Sequence, residues 1–155
     1  MKVKVILFAL ALCFAATAVV SAKTNPHMGT WKLNTVRSRI ARGAAKNTKV
    51  VYEAAGDDIK VTVDGMDGAG NATHNEWTGK FDGNFYPVTT DATSDERSYK
   101  VVNWRTLKLT GRKGGTVTIN GTIMVSANGK TRTVTTNGLD AKGKRFRTVA
   151  VYDKE

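Results

Sequence analysis

From Thr48 to the end of the chain, apolar and polar residues alternate with a period of two, and turns, most of them glycine-bearing, cut in before any run outgrows a strand. That pattern sends successive side chains to opposite faces, and no segment after Asn47 carries the 3.6-residue stripe of a helix. Ile59-Lys60-Val61-Thr62-Val63-Asp64 is the cleanest alternation. Turns fall at Ala55-Gly56-Asp57-Asp58, Asp67-Gly68-Ala69-Gly70, Asp82-Gly83-Asn84, Lys113-Gly114-Gly115, Asn128-Gly129 and Lys142-Gly143, each with a glycine able to take the positive φ of a tight hairpin. Strands are predicted over 29–33, 48–55, 59–64, 71–80, 84–88, 97–102, 106–112, 115–126, 130–139 and 144–153. Short connections make neighbours in sequence neighbours in space, so the fold class is all-β, an antiparallel up-and-down meander. An open meander leaves two unpaired edges; closure into a barrel of about ten strands removes them. An eight-stranded barrel and an open sandwich are the alternatives. The connection from Thr35 to Asn47 is the longest, and Val36 and Ile40, four apart, allow it one helical turn.

Residues 1–22 have the form of a signal peptide: Met1-Lys2-Val3-Lys4, an apolar run from Val5 to Val20 broken only by Thr17, and a small-residue end at Val20-Ser21-Ala22. The run is short of the ~20 apolar residues that span a bilayer. Cleavage after Ala22 is expected, with export to the periplasm or beyond the cell, leaving residues 23–155 as one domain, expected to be monomeric and to have no membrane span. Cys13, the single cysteine, goes with the leader, so the domain must be held by its core and not by disulfides. Without Lys2 and Lys4 it carries 22 Lys and Arg against 13 Asp and Glu, a net charge of +9. Such a surface is drawn to anionic partners, an envelope surface among them.

No nucleophile sits beside a base, and no glycine loop leads into a helix to cradle a phosphate, so the chain reads as a non-enzyme without a cofactor. His74 and Glu76 share a strand face but lack a third, orienting group. His27 and His74 are the only histidines, too few for a zinc site without improbable help from carboxylates. Asp91, Asp95 and Glu96 match no calcium-loop spacing. The aromatic residues are the better candidates, because barrel ligands are gripped by rings and a few aimed polar groups. Strand parity puts Trp77 on the inner face with Thr73 and Asn75, Tyr52 with Val50, Tyr99 with Val101, and Tyr152 with Phe146, Thr148 and Ala150. Tyr52, Asn75, Trp77, Tyr99 and Tyr152 are therefore the candidate ligand-binding residues, with simple filling of the barrel as the alternative role. Trp104-Arg105 reads as a turn cap or a seat for a nucleic-acid base; no recognised nucleic-acid module surrounds it.

Gly29-Thr30-Trp31-Lys32-Leu33, opening an all-β meander, resembles the Gly-x-Trp signature of the calycins, the superfamily of lipocalins, fatty-acid-binding proteins and avidins. Val151-Tyr152-Asp153-Lys154 resembles the end of a fatty-acid-binding protein. As a whole the chain is similar to bacterial exported lipocalin-like proteins. The resemblance implies a structural set of Gly29, Trp31 and Arg147: Trp31 closes the barrel floor beneath a cation from the far end of the chain, with Arg145 or Arg147 to supply it. It also implies a carrier of a small apolar or amphipathic molecule. The fatty-acid branch places an arginine two residues before its last tyrosine; Ala150 stands there, so that branch's carboxylate clamp is not implied. The other reading is a structural or adhesive envelope protein whose basic surface binds anionic polymers.

Overall fold

The computed structural model describes residues 24–139 and 143–155. The leader expected at residues 1–22 lies outside them. Ten strands follow one another: β1 Gly29–Leu33, β2 Lys46–Ala55, β3 Asp58–Met66, β4 Ala72–Gly79, β5 Tyr86–Thr89, β6 Glu96–Asn103, β7 Thr106–Lys113, β8 Thr116–Val125, β9 Thr131–Leu139 and β10 Arg145–Lys154. Each pairs antiparallel with the next, and β10 returns to β1, closing the barrel. The described residues contain no helix.

Closure depends on the short first strand, which pairs along both edges. Trp31 opposes Val50 of β2 on one side and Lys154 of β10 on the other. Gly29 enters the strand with φ 101°, and a Cβ there would press on Lys154 Cε at 3.2 Å. Both the backbone angle and the lysine stem therefore favour glycine at this corner.

The chain direction sorts the connections into two ends. The floor holds residues 24–28 and the β2–β3, β6–β7 and β8–β9 turns; the upper end holds 34–45, the β3–β4 turn, the 90–95 loop and the β7–β8 turn. No helical turn forms at Val36–Ile40. A single turn at 35–37, closed by Ser38 N–H to the Thr35 carbonyl, goes no further because β10 offers a backbone edge beyond the end of β1: Arg39 exchanges both backbone bonds with Val149 (2.7 and 2.9 Å), and the Ser38 hydroxyl receives the Val151 N–H. Val36, 93 % exposed, contributes nothing to the core. β5 is the thinnest part of the wall, with Trp77↔Val88 and Glu76↔Thr89 on one side and Tyr86↔Arg97 and Pro87↔Glu96 on the other.

Inward residues of the lower half form one buried cluster: Trp31, Tyr52, Val61, Trp77, Leu107, Ile123, Val125 and Tyr152. Toward the upper end the inner face carries glycines, each directly beside a larger inward residue: Gly65↔Thr73, Gly111↔Ile119, Gly121↔Thr136 and Gly138↔Phe146.

Candidate functional site

The floor is built around Trp31, which is 0 % exposed. Its indole Nε1 donates to the His27 carbonyl at 2.9 Å, tying the incoming segment beneath the barrel. The ring meets two cations, one of them from the end of the chain as expected, but neither is Arg145 or Arg147. Arg132, at the start of β9, places its guanidinium carbon 5.3 Å from the Trp31 ring, 4.9 Å from Tyr52 and 4.8 Å from Tyr152, and Lys154 Nζ lies 5.1 Å over Trp31. Arg145 and Arg147 are exposed and lie at the upper end of β10. Their parity opposes that of Tyr152, so they point out of the barrel. Each cation–ring contact in such a desolvated setting contributes up to about 2 kcal/mol. Three rings thus compensate a guanidinium that is 2 % exposed and to which no described residue supplies a carboxylate.

The candidate residues Tyr52, Asn75, Trp77, Tyr99 and Tyr152 are all inside the barrel and all buried. Three of them, Tyr52, Trp77 and Tyr99, pack ring against ring. Trp77 meets Tyr99 edge to face at 4.7 Å and stacks on Phe81 at 6.3 Å, and Tyr52 meets Tyr99 at 6.4 Å; Tyr152 sits apart, under Arg132. Burial raises the pKa of both Tyr52 and Tyr152, so their hydroxyls stay protonated donors.

Above the rings lies a polar group that joins inward strand residues to the 90–95 loop. Arg97 Nη2 reaches Asp91 at 2.7 Å and Asn75 Oδ1 at 3.3 Å, while its Nη1 reaches the Tyr99 hydroxyl at 3.5 Å. Trp77 Nε1 donates to the Arg97 carbonyl at 2.9 Å. Burial pushes the Asp91 carboxyl up, but donation from Ser94, the Arg97 charge and the Thr93 bonds outweigh it and hold the pKa below the ordinary carboxylate value. Asp91 is therefore fully engaged as a loop anchor. Asp95 accepts from the Gly114 N–H, and Glu96 receives Arg112 at 2.6 Å. Among the described residues no group of three or more metal-ligating side chains could hold an ion.

The two ends differ in how completely they are filled. Trp31, Tyr52, Trp77, Leu107, Ile123, Val125 and Tyr152 in the lower half are almost fully buried, whereas Thr73, Ile119, Val134, Thr136 and Phe146 toward the upper end are half-buried. They form an apolar and hydroxyl-bearing wall above Arg97, Asn75 and Tyr99. Two concavities lie elsewhere. One, about 210 Å³, sits at the floor against His27, Phe81, Trp104 and Leu107. The other, about 330 Å³, runs over the outer faces of β6, β7 and β8, with Phe85 on its rim and Lys100 and Lys108 along it. None of the five candidate residues lines either one.

His74 and Glu76 do acquire a third group. Asp64, directly across the β3–β4 pair, accepts from His74 Nδ1 at 2.6 Å, with Glu76 3.7 Å from Nε2 and Lys60 pairing Glu76 at 2.7 Å. The cluster is on the outer wall and half open to water. The Asp64 bond raises the His74 pKa above 6.5 despite some opposing desolvation. A folded value above the unfolded one means that the pair stabilises at low pH and loses its contribution as pH rises through the folded pKa. Histidine NMR titration is expected to show this upward shift, and Asp64→Asn to bring it back toward 6.5; an unmoved titration in that variant would dismiss the pair.

Trp104 stands in the β6–β7 turn, 52 % exposed, with the Arg105 guanidinium 5.2 Å from its ring. No helix among the described residues is long and apolar enough to cross a membrane. The chain matches no protein-family model and no curated protein.

Proposed function

We propose that this chain is an exported, non-enzymatic binding protein of the calycin kind, which holds a small amphipathic molecule in the upper half of its barrel. The observation that carries the reading is the contrast between the fully buried cluster around Trp31 in the lower half and the half-buried inward residues at the other end. An eight-stranded barrel is just filled by its side chains, and ten strands enclose more. Thr73, Ile119, Val134, Thr136 and Phe146 would contact the apolar part of the ligand, and Arg97, Asn75 and Tyr99 its polar part. Tyr52, Trp77 and Tyr152 would support that surface from below. Protein recovered by gentle extraction and analysed by native mass spectrometry is expected to carry a bound mass, with an N-terminus at Lys23. Anilinonaphthalene sulfonate is expected to brighten on the emptied protein, and Thr136→Phe to abolish the signal while leaving the melting temperature within a few degrees. Full dye binding by a folded Thr136→Phe protein would end the proposal.

A second reading, adhesion to anionic envelope polymers, has its own support. Lys100 and Lys108 are direct cross-strand partners on the outer face, an arrangement of like charges that an anion relieves. Retention on heparin is then expected to fall steeply with salt, and Lys100→Gln with Lys108→Gln to lower the eluting salt. Retention that ignores both salt and the two substitutions would exclude it.

A further inference from the structure

We propose a second binding site in the barrel floor, between residues 24–27 and the β6–β7 turn, that takes a small phenolic ring. The cavity there, about 210 Å³, is walled by Pro26, Phe81, Val101, Trp104 and Leu107, with His27 as part of its lining. An apolar cavity of roughly 150 Å³ holds a benzene molecule, so this one has room for a ring and a substituent. Phe81 and Trp104 offer aromatic surface on which a ring packs favourably. Val101 and Trp104 are 51 and 52 % exposed, so the entrance lies at the protein surface and needs no opening of the barrel.

The hydroxyl follows from His27. That side chain is 2 % exposed, yet neither Nδ1 nor Nε2 has a hydrogen-bond partner. Buried polar atoms are almost always satisfied, and here the backbone of the same residue is already committed to Trp31. Burial first, and then the charges of Arg132 and Lys154, lower the imidazole pKa to about 4, so at neutral pH the ring is uncharged. A neutral imidazole has one donor and one acceptor nitrogen, and a phenolic hydroxyl can serve either once the ring, whose nitrogens are both covered, turns toward the cavity that it lines. The same two cations disfavour an ammonium-bearing ligand and favour an acidic hydroxyl. The site is separate from the upper end of the barrel, because Trp31, Tyr52, Trp77 and Tyr99 fill the space between.

The probes are p-cresol and toluene, which differ by one hydroxyl. In an NMR titration of the exported protein, p-cresol is expected to saturate, with shifts confined to His27, Phe81, Val101, Trp104 and Leu107. It should bind about tenfold more tightly than toluene, the worth of one well-placed hydrogen bond. His27→Leu is expected to erase that preference while toluene still binds. Trp104→Ala, which leaves the core untouched, is expected to weaken both probes several-fold. Shifts scattered over the barrel, a preference that survives His27→Leu, unchanged affinity in Trp104→Ala, or displacement of dye from the upper end by p-cresol would each overturn the proposal.

Discussion

Replacing Trp31 by alanine is expected to lower the free energy of unfolding by about 3–5 kcal/mol, a large share of the ~5–15 kcal/mol that holds a domain together. The indole is wholly buried, so the substitution loses its transfer free energy and leaves a cavity that its neighbours fill only in part. Two further losses accompany it. The His27 carbonyl gives up its donor, and Arg132 and Lys154 lose the ring that faces both of them. Because Trp31 pairs with β2 and β10 at once, the damage falls on the closure of the barrel and not on one hairpin. Trp104→Ala, in the exposed turn, is expected to cost under about 1 kcal/mol. Urea melts of the two variants provide the comparison, read from midpoints at unchanged slope. Equal midpoints would mean that the floor is not organised around Trp31.

What the sequence revealed and what it hid divide along a physical line. Alternation and turn glycines are local properties, and they located all ten strands to within a few residues, from Gly29–Leu33 to Arg145–Lys154. The same parity placed Tyr52, Asn75, Trp77, Tyr99 and Tyr152 inside, where they are. Closure was legible only as the way to avoid two free edges, since no local pattern states that β10 pairs with β1. The cations over Trp31 were misassigned to Arg145 and Arg147, whereas Lys154, at the end of the chain, and Arg132, on β9, supply them. Parity applied to Arg145 and Arg147 already turns them outward, and Arg132 becomes inward only once β9 is laid against Tyr152. Asp64 beside His74 was hidden for the same reason: cross-strand register joins residues that sequence separates. The segment after β1 was misjudged as a place for a helical turn because Val36 and Ile40 fit the spacing, whereas an available backbone edge on β10 decides its conformation. The floor cavity left one trace, a histidine next to a proline ahead of the first strand, which carries no meaning until its two nitrogens are found buried and unpartnered.

Arg97→Met should also cost about 3–5 kcal/mol, the range for removing one member of a buried ion pair. Arg97 and Asp91 are 11 and 13 % exposed at the side chain and 2.7 Å apart, so screening by water is slight. The guanidinium also serves Asn75 and the Tyr99 hydroxyl, and its removal leaves three polar groups short of a partner. The pH dependence distinguishes this from a packing defect. In the native protein the folded pKa of Asp91 lies below its unfolded value, so the pair stabilises above that value and its contribution fades as pH falls through the folded pKa. Without Arg97, desolvation opposes the charged carboxylate more strongly, and protonation relieves it. The stability gap between native protein and variant is therefore expected to narrow as pH falls from neutrality toward the carboxylate range. Asp91→Asn added to Arg97→Met should recover part of the loss at neutral pH, because a neutral amide tolerates burial better than an unpaired carboxylate. A gap that widens on acidification, or a double variant no more stable than the single one at neutral pH, would show that the 90–95 loop is held by something other than this ion pair.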